Sequence, residues 1–275
     1  MSTQNRGEGR RVTVLGLRNM KARGERIAAL TAYDYLFARL VDDAGTDVIL
    51  VGDSLAHVVL GLDTTLPISL DDMIYHARAV RRGVNRALVV VDMPFLSYQV
   101  SVEEAMRNAG RVLKESGANA VKVEGGTRER AETVASLTQA GIPVMGHLGF
   151  TPQSVNALGG NRVQGRDVEG RTRMLEDALR LEAAGAFSIV LELVPGDLAS
   201  EISQELRIPT IGIGAGAGCD GQVLVLHDML GLNRDFEPRF LRRFADLGTL
   251  AESAVRDYVR AVREGEYPTA EHTFG

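Results

Sequence analysis

A single parallel (β/α)8 barrel is the fold class the sequence predicts, with a short N-terminal helix and C-terminal helices. Three observations point to it. About eight short runs, such as Val48–Val51, are almost wholly apolar, as expected of strands covered on both faces. Most are followed by a stretch with apolar residues at helical spacing. The 275 residues also suit one large α/β domain, residues 12–275, behind a polar tail over 1–11. A doubly wound open sheet is the competing arrangement.

In order, residues 15–21 read as a short helix and Ile27–Thr31 as the first strand. Residues 35–44 place Leu36, Leu40 and Val41 on one side of a helix closed by Gly45. Val48–Val51 is the second strand, and Ser69 opens the next helix. The third strand, 88–91, precedes Ser101-Val102-Glu103-Glu104, a capping box. The fourth strand lies within 119–126, and the helix over 127–140 stops at Gly141. Strand five is 144–147. After it, residues 149–165 form a long loop rich in Gly, Asn and Gln, a candidate for covering a site. A helix over 172–184, strand six at 188–191, strand seven at Thr210–Ile213 and strand eight at 223–226 follow, and a last helix opens at Thr249.

Composition narrows the function. Hydrophobic residues are 45% and charged residues 24%, with a net charge of −5 and no long basic block. Nucleic acid and anionic membrane surfaces are therefore poor partners. No apolar run is long enough to span a bilayer. Cys219 is the one cysteine, which excludes an intrachain disulfide and points to a reducing, cytoplasmic setting.

The chemistry gathers where strands end. In a barrel of this class the C-terminal strand ends build the active site. Here they deliver Asp34, Asp53 with Ser54, Asp92, Lys122 with Glu124, His147 and Glu192. Asp34 alone is better read as a helix cap. Lys122 and Glu124 are two residues apart on an apolar strand and so share a face, which is costly unless they pair or serve a ligand. Asp53, Asp92 and Glu124 offer hard oxygen donors without a Cys or His cluster, which suits Mg²⁺ rather than zinc. Lys122 fits stabilisation of an anionic substrate oxygen, with a Schiff-base lysine as the alternative. Glu192, after Ile189-Val190-Leu191, sits in an apolar setting that suits a general base. The Gly-rich stretch from Gly212 to Ala217 lacks a following helix and is a turn rather than a dinucleotide fingerprint.

Several segments together carry a resemblance. They are Thr31-Ala32-Tyr33-Asp34, Val51-Gly52-Asp53-Ser54, Asp92-Met93-Pro94-Phe95, Val121-Lys122-Val123-Glu124-Gly125-Gly126 and Gly146-His147-Leu148-Gly149. To these add Thr151-Pro152-Gln153-Ser154-Val155-Asn156, Ile211-Gly212-Ile213-Gly214-Ala215-Gly216 and Asp220-Gly221-Gln222. In that order they resemble the ketopantoate hydroxymethyltransferase family. The resemblance implies transfer of a hydroxymethyl group from 5,10-methylenetetrahydrofolate to 3-methyl-2-oxobutanoate, giving 2-dehydropantoate on the route to pantothenate and coenzyme A. It implies Mg²⁺ held by Asp53 and Asp92 with Glu124, directly or through water. Asp53, Ser54, Asp92 and Lys122 would face the keto acid, Glu192 would accept its proton, and His147 would be a pocket residue. It also implies a homo-oligomer, commonly a decamer. Two other readings stay open at this point. One is an Mg²⁺-dependent lyase of the phosphoenolpyruvate mutase and isocitrate lyase kind, which would need Cys219 as its acid or base. The other is a non-catalytic barrel that senses a metabolite.

Overall fold

The structure, a computed structural model, describes residues 11–274, so nearly all of the tail expected over 1–11 lies outside the described residues. In chain order its elements begin α1 (Val14–Ala22), β1 (Ile27–Thr31), α2 (Tyr35–Asp43), β2 (Val48–Val51), α3 (Leu55–Val58) and α4 (Leu70–Gly83). Then come β3 (Leu88–Asp92), α5 (Val102–Ser116), β4 (Ala120–Glu124), α6 (Arg128–Gln139), β5 (Val144–Gly149), α7 (Val155–Leu158) and α8 (Val168–Ala183). The chain continues through β6 (Ser188–Glu192), α9 (Gly196–Glu205), β7 (Thr210–Ile213) and β8 (Gly221–Leu224). It ends with α10 (Leu226–Met229) and α11 (Leu247–Glu264). The strands pair in parallel in chain order and β8 pairs back onto β1, closing the barrel. Two compact units are present: one reaches Val225 and holds the barrel, and the other starts at Leu226 and holds α10 and α11.

The barrel interior is filled by every second residue of the strands, as the pleat requires. Ile27, Ala29, Val48, Leu50, Leu88, Val90, Ala120, Met145, Val190, Ile211 and Val223 form one buried cluster with Leu17 of α1. Leu17 is fully buried there, with Val12, Val14 and Met20 packed around it. Each Val, Leu, Ile or Met among them contributes about 1.5–3 kcal/mol on leaving water. Lys21, at the end of α1, donates to the carbonyls of Ser203 at 2.7 Å and Ile208 at 2.9 Å. Its ammonium also pairs with Asp220 at 2.9 Å. The first helix is thus tied to the last part of the barrel.

Side chains set the helix starts. Ser69 and Asp72 make a reciprocal capping box at α4, whereas at α5 the structure records the Ser101 hydroxyl accepting from Glu104 N–H. Asp42, buried at the end of α2, accepts the backbone N–H groups of Asn85, Arg86 and Ala87 at 2.7–3.2 Å and so anchors the approach to β3.

The structure departs from the sequence reading in four elements. Strand eight is Gly221–Leu224 rather than 223–226, because Gly221 pairs with Ile27 and Gln222 with Ala28. His227 and Asp228 consequently sit in α10, not at a strand end. Helix α8 begins four residues early, capped by Asp167 accepting from Gly170 N–H. Residues 149–165 are not a bare loop: they contain a 3₁₀ turn, Pro152–Ser154, and α7. Helix α9 has no counterpart in the sequence reading. Pro195 supplies its N-cap position, and Leu198, Ala199 and Ile202 bury an apolar face.

Candidate active site

The inward file of the strands does not stop where the apolar core ends. Val90 is followed on the same face by Asp92, Ala120 by Lys122 and Glu124, Met145 by His147, and Val190 by Glu192. The strand register then sets these side chains beside one another. Asp92 lies opposite Lys122, Glu124 opposite His147, and Gly149 opposite Glu192. Asp53 joins them from the turn after β2. A Cβ at Gly52 would crowd the Ser54 hydroxyl of that turn at 2.8 Å.

Lys122 Nζ lies 3.1 Å from Asp92 Oδ1 and 3.2 Å from His147 Nδ1. The other imidazole nitrogen, Nε2, is 3.2 Å from Glu192 Oε2, and Nδ1 is 3.5 Å from Glu124 Oε1. The Lys122 ammonium faces Nδ1, while Nε2, though close to Glu192, makes no well-directed hydrogen bond. Asp53 N–H donates to Asp92 Oδ2 at 3.0 Å. Asp53, Asp92, Lys122, Glu124 and His147 are all buried, while Glu192 keeps 19% of its side chain exposed at the mouth.

Electrostatics follow from four acids in a small space. Burial pushes the Asp92 carboxyl up to about 6, outweighing the opposing pull of Lys122. Burial, and then the charge of Glu124, raise Asp53. Burial works against the charge on Lys122, but Asp92, Glu124 and Asp53 more than offset it and push its ammonium upward. A lysine held charged in this way is not the free amine that a Schiff base needs. His147 is raised as well: burial and Lys122 oppose its protonation, and Glu124 and Glu192 favour it.

Asp92 Oδ1 and Glu124 Oε1 are buried without a well-directed hydrogen bond. Among the described residues no three His, Cys, Asp or Glu side chains converge closely enough to hold a metal ion by themselves. The two oxygens without a directed hydrogen bond fit Mg²⁺, which takes one or two carboxylates and fills its shell with water and substrate oxygens.

Two residues that the sequence raised as candidates lie outside this cluster. Asp34 is exposed and caps α2 by accepting from Phe37 N–H, so it does not reach the mouth. Cys219 is buried beside Thr210 and Ser203, at the start of β7, the opposite end of the barrel from the acids. Sequence reasoning also missed three neighbours. Tyr33 hydroxyl pairs with Ser54 Oγ at 2.8 Å. Gln153 and Tyr98 hydrogen-bond to each other at 2.7 Å and reach Asp53 and Glu124. Tyr33 and Gln153 had one signal, a place inside motif-like segments next to strand ends, and Tyr98 had none.

A model of the ketopantoate hydroxymethyltransferase family matches residues 11–270. The chain belongs to that family. This ketopantoate hydroxymethyltransferase family member is 56% identical over 274 residues to 3-methyl-2-oxobutanoate hydroxymethyltransferase of Syntrophus aciditrophicus (strain SB), covering 100% of both chains. It is 58% identical over 263 residues to the enzyme of that name from Chloroflexus aurantiacus (strain ATCC 29366 / DSM 635 / J-10-fl), covering 96% of this chain and 92% of the other. Among solved structures it resembles phosphoenolpyruvate phosphomutase from Streptomyces platensis subsp. rosaceus, with a TM-score of 0.62 at 15% identity over 95% of this chain and 92% of that one. That likeness is one of fold. Ketopantoate hydroxymethyltransferases are transferases acting on small molecules, and this chain is such an enzyme.

Proposed function

We propose that the enzyme moves a hydroxymethyl group from 5,10-methylenetetrahydrofolate to 3-methyl-2-oxobutanoate, giving 2-dehydropantoate for pantothenate and coenzyme A synthesis. The observation that carries this reading is the juxtaposition of buried, unsaturated carboxylate oxygens on Asp92 and Glu124 with the partly exposed carboxylate of Glu192. Asp53 and Asp92 would hold Mg²⁺, with Glu124 directly or through water. When bound, the cation supplies Lewis acidity at the 2-oxo group and so acidifies the neighbouring C3–H.

The chain's own groups supply the rest. Lys122, kept cationic by its acidic neighbours, balances the negative charge that grows on the substrate oxygens. Ser54, steadied by Tyr33, offers a hydroxyl to the keto acid. Glu192 takes the C3 proton, with the His147 imidazole 3.2 Å from its carboxylate. One water cleaves the one-carbon unit from folate as formaldehyde and frees tetrahydrofolate. The carbanion adds to the formaldehyde carbon, whose oxygen takes up a proton to become the new hydroxyl, while residues 149–165 keep further water from the carbanion. Position argues against the lyase alternative, because Cys219 is at the far end of the barrel. A cytoplasmic homo-oligomer fits the exposed apolar side chains of α11, Leu250, Val255, Tyr258 and Val262. Among the described residues no helix is long and apolar enough to cross a membrane.

The test is deuterium exchange at C3 of 3-methyl-2-oxobutanoate, followed by proton NMR in D₂O with Mg²⁺ and without folate. Exchange that disappears with EDTA and in Glu192→Gln supports the reading. Exchange at the wild-type rate in Glu192→Gln removes Glu192 as the base.

A further inference from the structure

Asp53, Asp92 and Glu124 each have one carboxylate oxygen tied to a protein N–H. Asp92 Oδ2 accepts from Asp53 N–H at 3.0 Å, Asp53 Oδ2 from the Gln153 amide at 3.0 Å, and Glu124 Oε2 from Gln153 N–H at 3.1 Å. Gln153 therefore supplies two of the three ties, one through its side chain and one through its backbone. It lies in the 3₁₀ turn Pro152–Ser154, far in sequence from either acid.

Its amide has one orientation that satisfies its neighbours. Nε2 donates to Asp53 Oδ2 and to Met93 O at 2.9 Å, and Oε1 accepts from Tyr98 hydroxyl at 2.7 Å and Gln99 Nε2 at 3.0 Å. Turning the amide over would set its oxygen against two acceptors. Tyr98 enforces the choice: its hydroxyl already accepts Glu124 N–H at 3.0 Å, so its own proton goes to Gln153. Burial, and then Glu124, hold that phenol protonated. Arg130 fixes Tyr98 in turn, 4.4 Å above its ring and donating to Glu124 O and Tyr98 O.

We infer that Gln153 is a positioning residue of the divalent-cation site: it occupies one oxygen of Asp53 and of Glu124, so that the others face the cation, and thereby couples cation binding to the seating of residues 152–158. The inference rests on the cation role given to Asp53, Asp92 and Glu124 above. Linkage makes it reciprocal, since whatever seating adds to cation affinity, the cation returns as tighter seating.

The experiment uses the full-length enzyme without substrate, as wild type, Gln153→Leu and Tyr98→Phe. Mg²⁺ affinity is measured by isothermal titration calorimetry, and trypsin cleavage after Arg162 and Arg166 is timed with Mg²⁺ or with EDTA. Circular dichroism in EDTA checks folding. Loss of a charge-assisted hydrogen bond predicts Mg²⁺ binding weaker by about ten- to a hundredfold in Gln153→Leu and by about tenfold in Tyr98→Phe. Mg²⁺ should slow cleavage of the wild type and lose that effect in Gln153→Leu. Saturating Mg²⁺ should restore most of that variant's turnover, which a general packing defect would not allow. A folded Gln153→Leu that binds Mg²⁺ within about twofold of wild type overturns the inference. So does a Tyr98→Phe with unchanged affinity, should Gln153→Leu fail to fold. A wild type that binds no Mg²⁺ overturns the cation role itself, and this inference with it.

Discussion

Lys122 Nζ stands 3.1 Å from Asp92 Oδ1 on adjacent strands whose register places the two residues side by side. Both are buried, and the acid is raised even with the lysine next to it. Removing the lysine would strand a carboxylate in the barrel. Lys122→Met should lower stability in EDTA by roughly 3–5 kcal/mol, read from chemical denaturation. Unchanged stability would mean that Asp92 simply stays protonated in the variant.

Asp53→Asn and Asp92→Asn keep the shape of the mouth and remove one charge each. Mg²⁺ affinity should fall by about a hundredfold or more in either, measured by calorimetry. Wild-type affinity in one of them would take that residue out of the cation site.

His147 lies 3.2 Å from Glu192 through Nε2 and 3.5 Å from Glu124 through Nδ1, and it has no contact with Asp53 or Asp92 that competes with Glu192. His147→Asn should slow C3 exchange by up to about a hundredfold, because the base loses its orientation. Mg²⁺ affinity should move much less, and an equal loss of both would show that His147 serves the cation instead.

Gly149 ends β5 at φ +96°, and a Cβ there would meet Glu192 O at 2.1 Å. That carbonyl accepts Phe150 N–H at 2.8 Å. Gly149→Ala therefore strains the backbone and pushes Glu192 away together. A loss above about 4 kcal/mol is expected, seen as insoluble protein or a much lower Tm. A soluble variant of normal Tm would show that the strand shifts to make room.

Asp42→Ala is the control at the other end of the fold. It leaves the N–H groups of Asn85, Arg86 and Ala87 without their acceptor. Stability should drop by about 3 kcal/mol or more, while KM for the keto acid stays as in wild type. A changed KM would mean that β3 shifts as a whole and carries Asp92 with it.

The readable part of this fold was the part fixed by local pattern. Runs such as Val48–Val51 and Thr210–Ile213 are apolar on both faces and bounded by turn residues, so their limits matched the ladder. Strand eight misled because Val223 and Leu226 look like its core, whereas pairing with β1 recruits Gly221 and Gln222. The cluster of Asp92, Lys122, Glu124, His147 and Glu192 was visible because period-2 alternation and the barrel's strand-end rule are both short-range signals. Gln153, Tyr98 and Tyr33 were not, since a neutral polar side chain acquires its partners only when distant strands close around it.

Lys21 gives the fold a history as well as a shape. Its partners Ser203 and Ile208 lie 182 and 187 residues further along the chain. At about 5–20 residues per second of synthesis, roughly ten to forty seconds separate the first helix from the groups that hold it. Through that interval the cluster that buries Leu17 is incomplete, since Phe187, Val190, Ile211 and Val223 belong to it. The final seating of α1 therefore waits for the late part of the barrel, and a pause in synthesis before residue 203 would prolong that wait.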